Sequence, residues 1–327
     1  MFVSSFSNSA LILFLAAIAD FIIGDPWNWY HPVRVMGWGI KNLSQWIIAG
    51  TDKAILRRLA GIGLGIGLIF GSGLAGWIIV WSGSWIHPWL GKLAAVVLLA
   101  SCFAGKSLRL AIEDVLQPLD LGDLVAARTR LSLYVGRDTD NLSESEILRA
   151  LLETVGENAV DGVTAPLFYA IVGAFIPAIG SVPLALGYKA ASTLDSMIGY
   201  RREPHTDLGW FSARLEDYLT WLPCRLTVLT LSCFSGSPLR VLALCRRDAV
   251  SDPSPNSGWS ECVYAAILKV QLGGTNFYQG IAKVKPLLGN LVESITPEKI
   301  IGALRLTRYC FLLWLAIATL LLSYMSF

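Results

Sequence analysis

Six stretches of this chain are apolar and nearly free of charge: residues 10–23, 59–81, 93–105, 162–188, 218–239 and 309–327. Most are long enough to span the roughly 30 Å apolar core of a bilayer as α-helices. Three polar stretches, 106–161, 189–217 and 240–308, alternate with them. The pattern predicts an all-α integral membrane protein: a single polytopic domain over residues 1–327 with about four to six membrane-embedded helices. Segment 93–105 is short for a span, so it is expected to form one arm of a hairpin with 59–81, turning near 82–91. Gly61, Gly63, Gly65, Gly67, Gly71, Gly73 and Gly76 lie in that first arm and predict close helix packing.

Segment 162–188 does not read as a plain span. It carries Pro166, Pro177 and Pro183 with Gly173 and Gly180, and proline inside a helix removes a backbone donor. A re-entrant hairpin turning near 177–180 is expected, shielded from lipid by other helices. Arg34, Lys41, Lys53, Arg57 and Arg58 put the first loop on the cytoplasmic side, and Arg246, Arg247, Lys283 and Lys285 do the same for the last polar stretch. Arg225 interrupts an apolar run and is expected to face a polar cavity. Ser143-Glu144-Ser145-Glu146 is a capping box, so a helix should begin there and run to Asp161.

Composition agrees with a membrane protein. Of 327 residues, 54% are hydrophobic and 15% charged; mean hydropathy is +0.56 and there are 12 Trp. A soluble domain is typically about 25% charged. The net charge of +2 and the lack of any basic tract argue against nucleic acid. The six cysteines form no C-x-x-C pair, which argues for buried free thiols rather than zinc or a disulfide framework. No basic segment precedes the run at 10–23, so it reads as a membrane helix with Asp20 near its end, not as a cleaved signal peptide.

Candidate chemistry sits in the polar stretches. Glu153, Glu157 and Asp161 are spaced four apart, on one face of a regular helix. With Asp138 they are candidate metal ligands, since Mg²⁺ needs only one or two carboxylates beside nucleotide phosphates. Arg137 and Arg214 are candidate phosphate ligands. Lys189, Asp195 and Asp217 are candidate catalytic groups. His31, Arg34, Asn158, Arg225, Asn256 and Asn276 are candidate substrate contacts. Trp27, Trp29 and Tyr30 suit an interfacial anchor, and Arg201 and Arg202 suit snorkelling to the interface. Gly273-Gly274 could open backbone amides to an anion. The pattern Asp161-Gly162-Val163-Thr164-Ala165-Pro166 lacks the arginine that a phosphoalcohol-transferase motif requires.

Seven segments together are more specific: GDPWNWYHPVRVMG, LSLYVGRDT, ETVGENAVDGVTAPLFYA, STLDSMIGY, GWFSARLEDYLTWLPCRL, SDPSPNSG and QLGGTNFYQG. In this order, from Gly24 to about Tyr278, they resemble the adenosylcobinamide-phosphate synthases, a family of cobalamin-biosynthesis membrane proteins. Departures are Ser192 for the family's usual asparagine, Glu216 within its usual R-L-D-D, and Cys224 within its usual P-A-R. The resemblance implies ATP-driven joining of aminopropanol or aminopropanol phosphate to a propionate carboxylate of adenosylcobyric acid, with Mg²⁺. It also implies the cell membrane, as a multi-pass protein in the lipid bilayer. A homo-oligomer or contact with other cobalamin-pathway enzymes is compatible with it. A non-enzymatic alternative is a corrinoid permease subunit or a scaffold for the late pathway enzymes. Inverted repeats would favour a permease, and none is visible.

Overall fold

The computed structural model describes residues 3–25, 31–200 and 203–325. Trp27, Trp29, Tyr30, Arg201 and Arg202 lie outside them. In chain order the α-helices are α1 (Val3–Ile22), α2 (Pro32–Gly50), α3 (Ala54–Ile86), α4 (Pro88–Ala100), α5 (Gly105–Asp120), α6 (Leu124–Leu131), α7 (Glu144–Asn158), α8 (Ala165–Ala174), α9 (Ser181–Ile198), α10 (Trp210–Phe234), α11 (Pro238–Asp248), α12 (Ser257–Leu268) and α13 (Pro297–Tyr324). A π-helical segment, Ala159–Thr164, follows α7. Two antiparallel strands, β1 (Leu272–Tyr278) and β2 (Ile281–Leu288), form a single hairpin. The chain is thus an all-α membrane protein with one small sheet. Ala54–Ile86, Pro88–Asp120 and Pro297–Tyr324 are long and apolar enough to cross a membrane, although the second breaks between α4 and α5.

Two compact units share the chain: Met1–Lys106, Ala165–Thr220 and Leu312–Phe327 in one, Ser107–Thr164 and Trp221–Phe311 in the other. The polar stretch 189–217 therefore belongs to the first unit, whereas nearly all of 106–161 and 240–308 belongs to the second.

In the first unit α3 packs along α4 and α9, with α1 against α4 and α2 against α9. His87 alone separates α3 from α4. Its extended backbone breaks the helix, Pro88 starts the next one, and its Nδ1 accepts the Trp89 N–H at 3.3 Å. The expected hairpin therefore exists and turns within 82–91. The segment 162–188 is likewise broken, and α8 and α9 pack together across the turn at 175–180. At 10 residues, α8 is only about 15 Å long. A core of Ile40, Leu64, Leu194, Ile198 and Leu208 lies between α2, α3 and α9. Outward, α3 presents Ile66, Phe70, Leu74, Trp77, Ile78 and Trp81, a face suited to lipid rather than water.

The α3 glycines divide into two faces. A Cβ on Gly61 would lie 2.1 Å from the Leu208 carbonyl oxygen, and one on Gly65 would lie 2.7 Å from the Phe211 ring. Gly73 and Gly76 abut Pro183 and Leu186 of α9, whereas Gly63, Gly67 and Gly71 have nothing within 4 Å. Close packing thus explains four of the seven.

In the second unit α5 buries Leu108, Ile112, Val115, Leu116 and Leu119 at helical spacing. The Asp123 carboxylate caps α6 through the Ala126 N–H at 2.9 Å. The expected capping box opens α7: the Glu146 carboxylate accepts the Ser143 N–H at 2.8 Å while the Ser143 hydroxyl caps Glu146. These bonds hold the Glu146 carboxyl below its ordinary value. Helix α7 packs on α12, where a Cβ on Gly156 would approach Glu261 Cα to 3.0 Å. The hairpin turns through Gln279 and Gly280, both at positive φ, as two-residue turns require. Five of the six cysteines are buried free thiols; Cys233 is exposed.

Gly61→Ala should lower thermal stability in detergent by about 1–3 kcal/mol through overpacking. Gly63→Ala, facing open space, should be neutral or up to about 1 kcal/mol stabilising through helix propensity. Paired melting curves check this; equal effects would contradict the assigned packing face.

Candidate functional site

The second unit holds a buried ionic cluster centred on Glu153, which is 2% exposed. One carboxylate oxygen accepts a short hydrogen bond from Arg137 Nη2. The other faces Arg149 Nη1 at 3.3 Å and accepts the Gly273 N–H at 3.0 Å. Asn276 Oδ1 accepts from both guanidiniums, each at 3.0 Å. Arg149 also donates to the Gly273 carbonyl at 2.5 Å. The anion that the Gly273 amide meets is therefore internal. A lone two-stranded hairpin is marginal, and this cluster pins β1 to α7. Asp138 secures the tip: its oxygens accept the Gln279 and Gly280 N–H groups at 2.9 and 2.7 Å.

Lys285 of β2 meets the fully buried Glu261 of α12 at 3.2 Å. Burial pushes the Glu261 carboxyl up, opposed by the Lys285 ammonium and reinforced by Glu153 and Glu157. Burial opposes the Lys285 charge, yet Glu261, Glu157 and Glu153 hold its proton more firmly than usual. Arg137, Arg149 and Lys285 thus balance Glu153, Glu157 and Glu261. A buried charge is tolerable when paired in this way.

This balance does not suit Mg²⁺. Glu153 is committed to two arginines and Asp138 to two backbone amides. Glu157 is exposed, and Asp161 sits half-buried in the π-helical segment, whose altered phase takes it off the regular ladder. Among the described residues no group of three or more His, Cys, Asp or Glu side chains could hold a metal. The four carboxylates spaced for a metal site do not converge on one. Arg149 lies one helical turn from Glu153, a spacing visible in the sequence, but nothing local announced that Gly273, 120 residues away, would also claim it.

Other candidates in this unit have local roles. Asn158 is exposed and donates to the Thr154 carbonyl at 3.0 Å. Asn256, 6% exposed, opens α12, and its carbonyl accepts the Cys224 thiol at 3.4 Å. Arg225 donates to the Pro255 carbonyl at 2.8 Å and stacks on Trp259 at 4.4 Å. It is held by a carbonyl and indoles rather than facing a polar cavity.

The first unit holds a cavity of about 230 Å³ lined by Asp25, His31, Val33, Arg34, Ser101, Phe103, Ala104 and Lys189. His31 Nε2 lies 2.8 Å from Asp25 Oδ1. Lys189 comes from mid-α9, and Arg34 from the first turn of α2. Asp195 and Asp217 are half-buried on α9 and α10, and Arg214 is exposed; none of the three lines this cavity. The sequence reading did not single out a buried chain from Glu216 through Thr220 to the Tyr188 hydroxyl, the last step 2.9 Å. The unusual acid of its R-L-E-D segment was the available signal.

A family model described as CobD/Cbib protein matches residues 13–307. This chain belongs to that family. It is 55% identical over 304 residues to "Cobalamin biosynthesis protein CobD" of Synechocystis sp., covering 93% of this chain and 89% of that one. It is 41% identical over 293 residues to a protein of the same name from Halalkalibacterium halodurans, covering 87% and 88%. It is 40% identical over 299 residues to "Cobalamin biosynthesis protein CbiB" of Salmonella arizonae, covering 89% and 91%. No solved structure matches the chain.

Glu153→Gln should lower stability by about 3–5 kcal/mol, because it strands two buried guanidiniums. The melting temperature of the wild type should not move when Mg²⁺ or a chelator is added. Thermal unfolding in detergent checks both; a chelator-sensitive wild type with a stable Glu153→Gln would restore Glu153 as a metal ligand.

Proposed function

We propose that this protein acts in cobalamin biosynthesis as a multi-pass enzyme of the cell membrane. It would join aminopropanol or its phosphate to a propionate carboxylate of adenosylcobyric acid, yielding adenosylcobinamide or its phosphate. Family membership and the names of the relatives support the pathway. The single observation that favours a ligating enzyme is the cavity where Lys189, Arg34 and the His31–Asp25 pair meet.

A carboxylate is a poor acyl donor, so amide formation requires its activation, with ATP as the proposed cosubstrate. The amine then forms the C–N bond while the activating phosphate leaves with the C–O electron pair, and a base accepts the amine proton. Cationic groups stabilise such anionic centres best where water is excluded. Lys189 and Arg34 can serve in this way. At about 230 Å³ the cavity is below the 300–1,000 Å³ usual for drug-sized ligands. It suits the small aminoalcohol partner and not the corrinoid. Mg²⁺ enters only as the nucleotide's companion ion, without a protein ligand set.

Purified protein given adenosylcobyric acid, aminopropanol phosphate and Mg·ATP should yield the amide with nucleotide hydrolysis, read by mass spectrometry. Lys189→Met and Arg34→Met, both at the cavity, should each retain the fold and lose at least tenfold in turnover. Corrinoid binding or vesicle flux without amide product would instead support the carrier reading.

A further inference from the structure

The α3–α4 hairpin of the first unit ends in a cluster of four indoles. Trp77, Trp81 and Trp85 follow one another at four-residue spacing near the end of α3, and Trp89 lies in the first turn of α4. All four are exposed, from 44% at Trp77 to 83% at Trp85. The Trp77 and Trp81 rings stack with centroids 5.9 Å apart. Lys92 Nζ lies 4.6 Å from the Trp89 ring centroid. An indole in water exposes a large apolar surface, and one in hydrocarbon leaves its N–H donor without a partner. The headgroup layer of a bilayer suits both parts of the ring.

The turn beneath the indoles is tight. A Cβ on Gly83 would come 3.2 Å from Gly91 Cα, and one on Gly91 would overlap the Ser84 hydroxyl. The two helices therefore meet backbone to backbone at the apex, and the four rings share one rim around it.

Distance selects the interface at which that rim sits. No charged residue lies between Arg58 and Lys92. Along the axis of α3, Trp81 stands about 35 Å from Arg58 and Trp85 about 40 Å. A bilayer has an apolar core of about 30 Å and a total thickness of about 40–45 Å. The helix thus matches one full crossing, with Arg57 and Arg58 at one surface and the indoles at the other. The apolar outward face of α3, from Ile66 to Trp81, continues directly into Trp85. Lys53, Arg57 and Arg58 mark the opposite end as cytoplasmic. Arg57 and Arg58 are paired with Asp52 and Asp207, but acids contribute little to orientation, so the pairing does not cancel the bias.

We infer that the indole rim of the α3–α4 hairpin docks in the headgroup layer of the outer face of the membrane, and that its partner is phospholipid. This rests on the multi-pass reading proposed above and gives it an orientation. From the rim α4 leads inward for 13 residues, about 20 Å, to Ser101 and Phe103 in the wall of the cavity. The cavity then lies on the cytoplasmic side of the rim, where a nucleotide cosubstrate is at hand.

Single-cysteine reporters in the full chain test this, in a Cys233→Ser background that removes the exposed thiol. Trp85→Cys and Trp89→Cys report on the rim from two helices, so the result does not hang on one variant. Lys53→Cys reports on the other end of α3. In sealed right-side-out vesicles a membrane-impermeant maleimide should label both rim variants at once and Lys53→Cys only after permeabilisation. Labelling of both ends from the same side would overturn the inference. Nitroxides on the rim cysteines, reconstituted in phospholipid vesicles, then read depth: collision with both oxygen and an aqueous nickel chelate is expected. Collision with nickel alone would put the rim in water. Collision with neither would put it under a protein partner or a second copy, and either result would overturn the lipid assignment. Amide turnover with both ends labelled from one side would overturn this placement and leave the proposed reaction standing. Sided labelling without turnover would leave the placement standing and refute the reaction.

Discussion

A charge taken out of water must bring its counter-charge with it, and this constraint organises both compact units. In the second unit the Glu153 carboxylate, 2% exposed, is held by Arg137, Arg149 and the Gly273 amide. These partners tie α7 to β1, and Lys285 with Glu261 ties β2 to α12. A hairpin too small to be stable alone thereby becomes part of a helical unit. In the first unit the exchange between Asp20 and Lys106 closes one helix end and opens another. The neighbouring cavity instead gathers Asp25, His31, Arg34 and Lys189 around open volume.

The two clusters therefore differ in kind although both are rich in acids and bases. Around Glu153 the cations and anions balance, and the donors and acceptors are largely consumed by one another. At the first unit's cavity Asp25, His31, Arg34 and Lys189 line open volume. Balance with burial marks a fastening; charged groups around open space mark a candidate binding site.

Much of the fold was legible because its signals are local. Ser143 and Glu146 announce the start of α7 through bonds made three residues apart. Pro88 and Pro177 announce where helices break, and the hairpins turn at His87 and at 175–180. The glycines of α3 announced close packing, but which of them pack depends on Leu208, Phe211 and α9. The site was less legible because its determinants are long-range. Spacing by four put Glu153, Glu157 and Asp161 on one face, but a π-helical turn changes the phase before Asp161, and the Gly273 amide, 120 residues away, joins two arginines in claiming Glu153. The β-hairpin carried a usable signal in two strand-like segments flanking Gln279-Gly280. The convergence of His31, Arg34 and Lys189 on one cavity required the fold itself.

Side-by-side comparison of Glu153→Gln and Lys189→Met, each measured for melting temperature and for amide turnover, tests this division most directly. The account predicts that Glu153→Gln loses stability yet keeps turnover at temperatures where it stays folded. Lys189→Met should keep the wild-type melting temperature and lose turnover. The reverse pattern, a stable but inactive Glu153→Gln beside an active Lys189→Met, would contradict it.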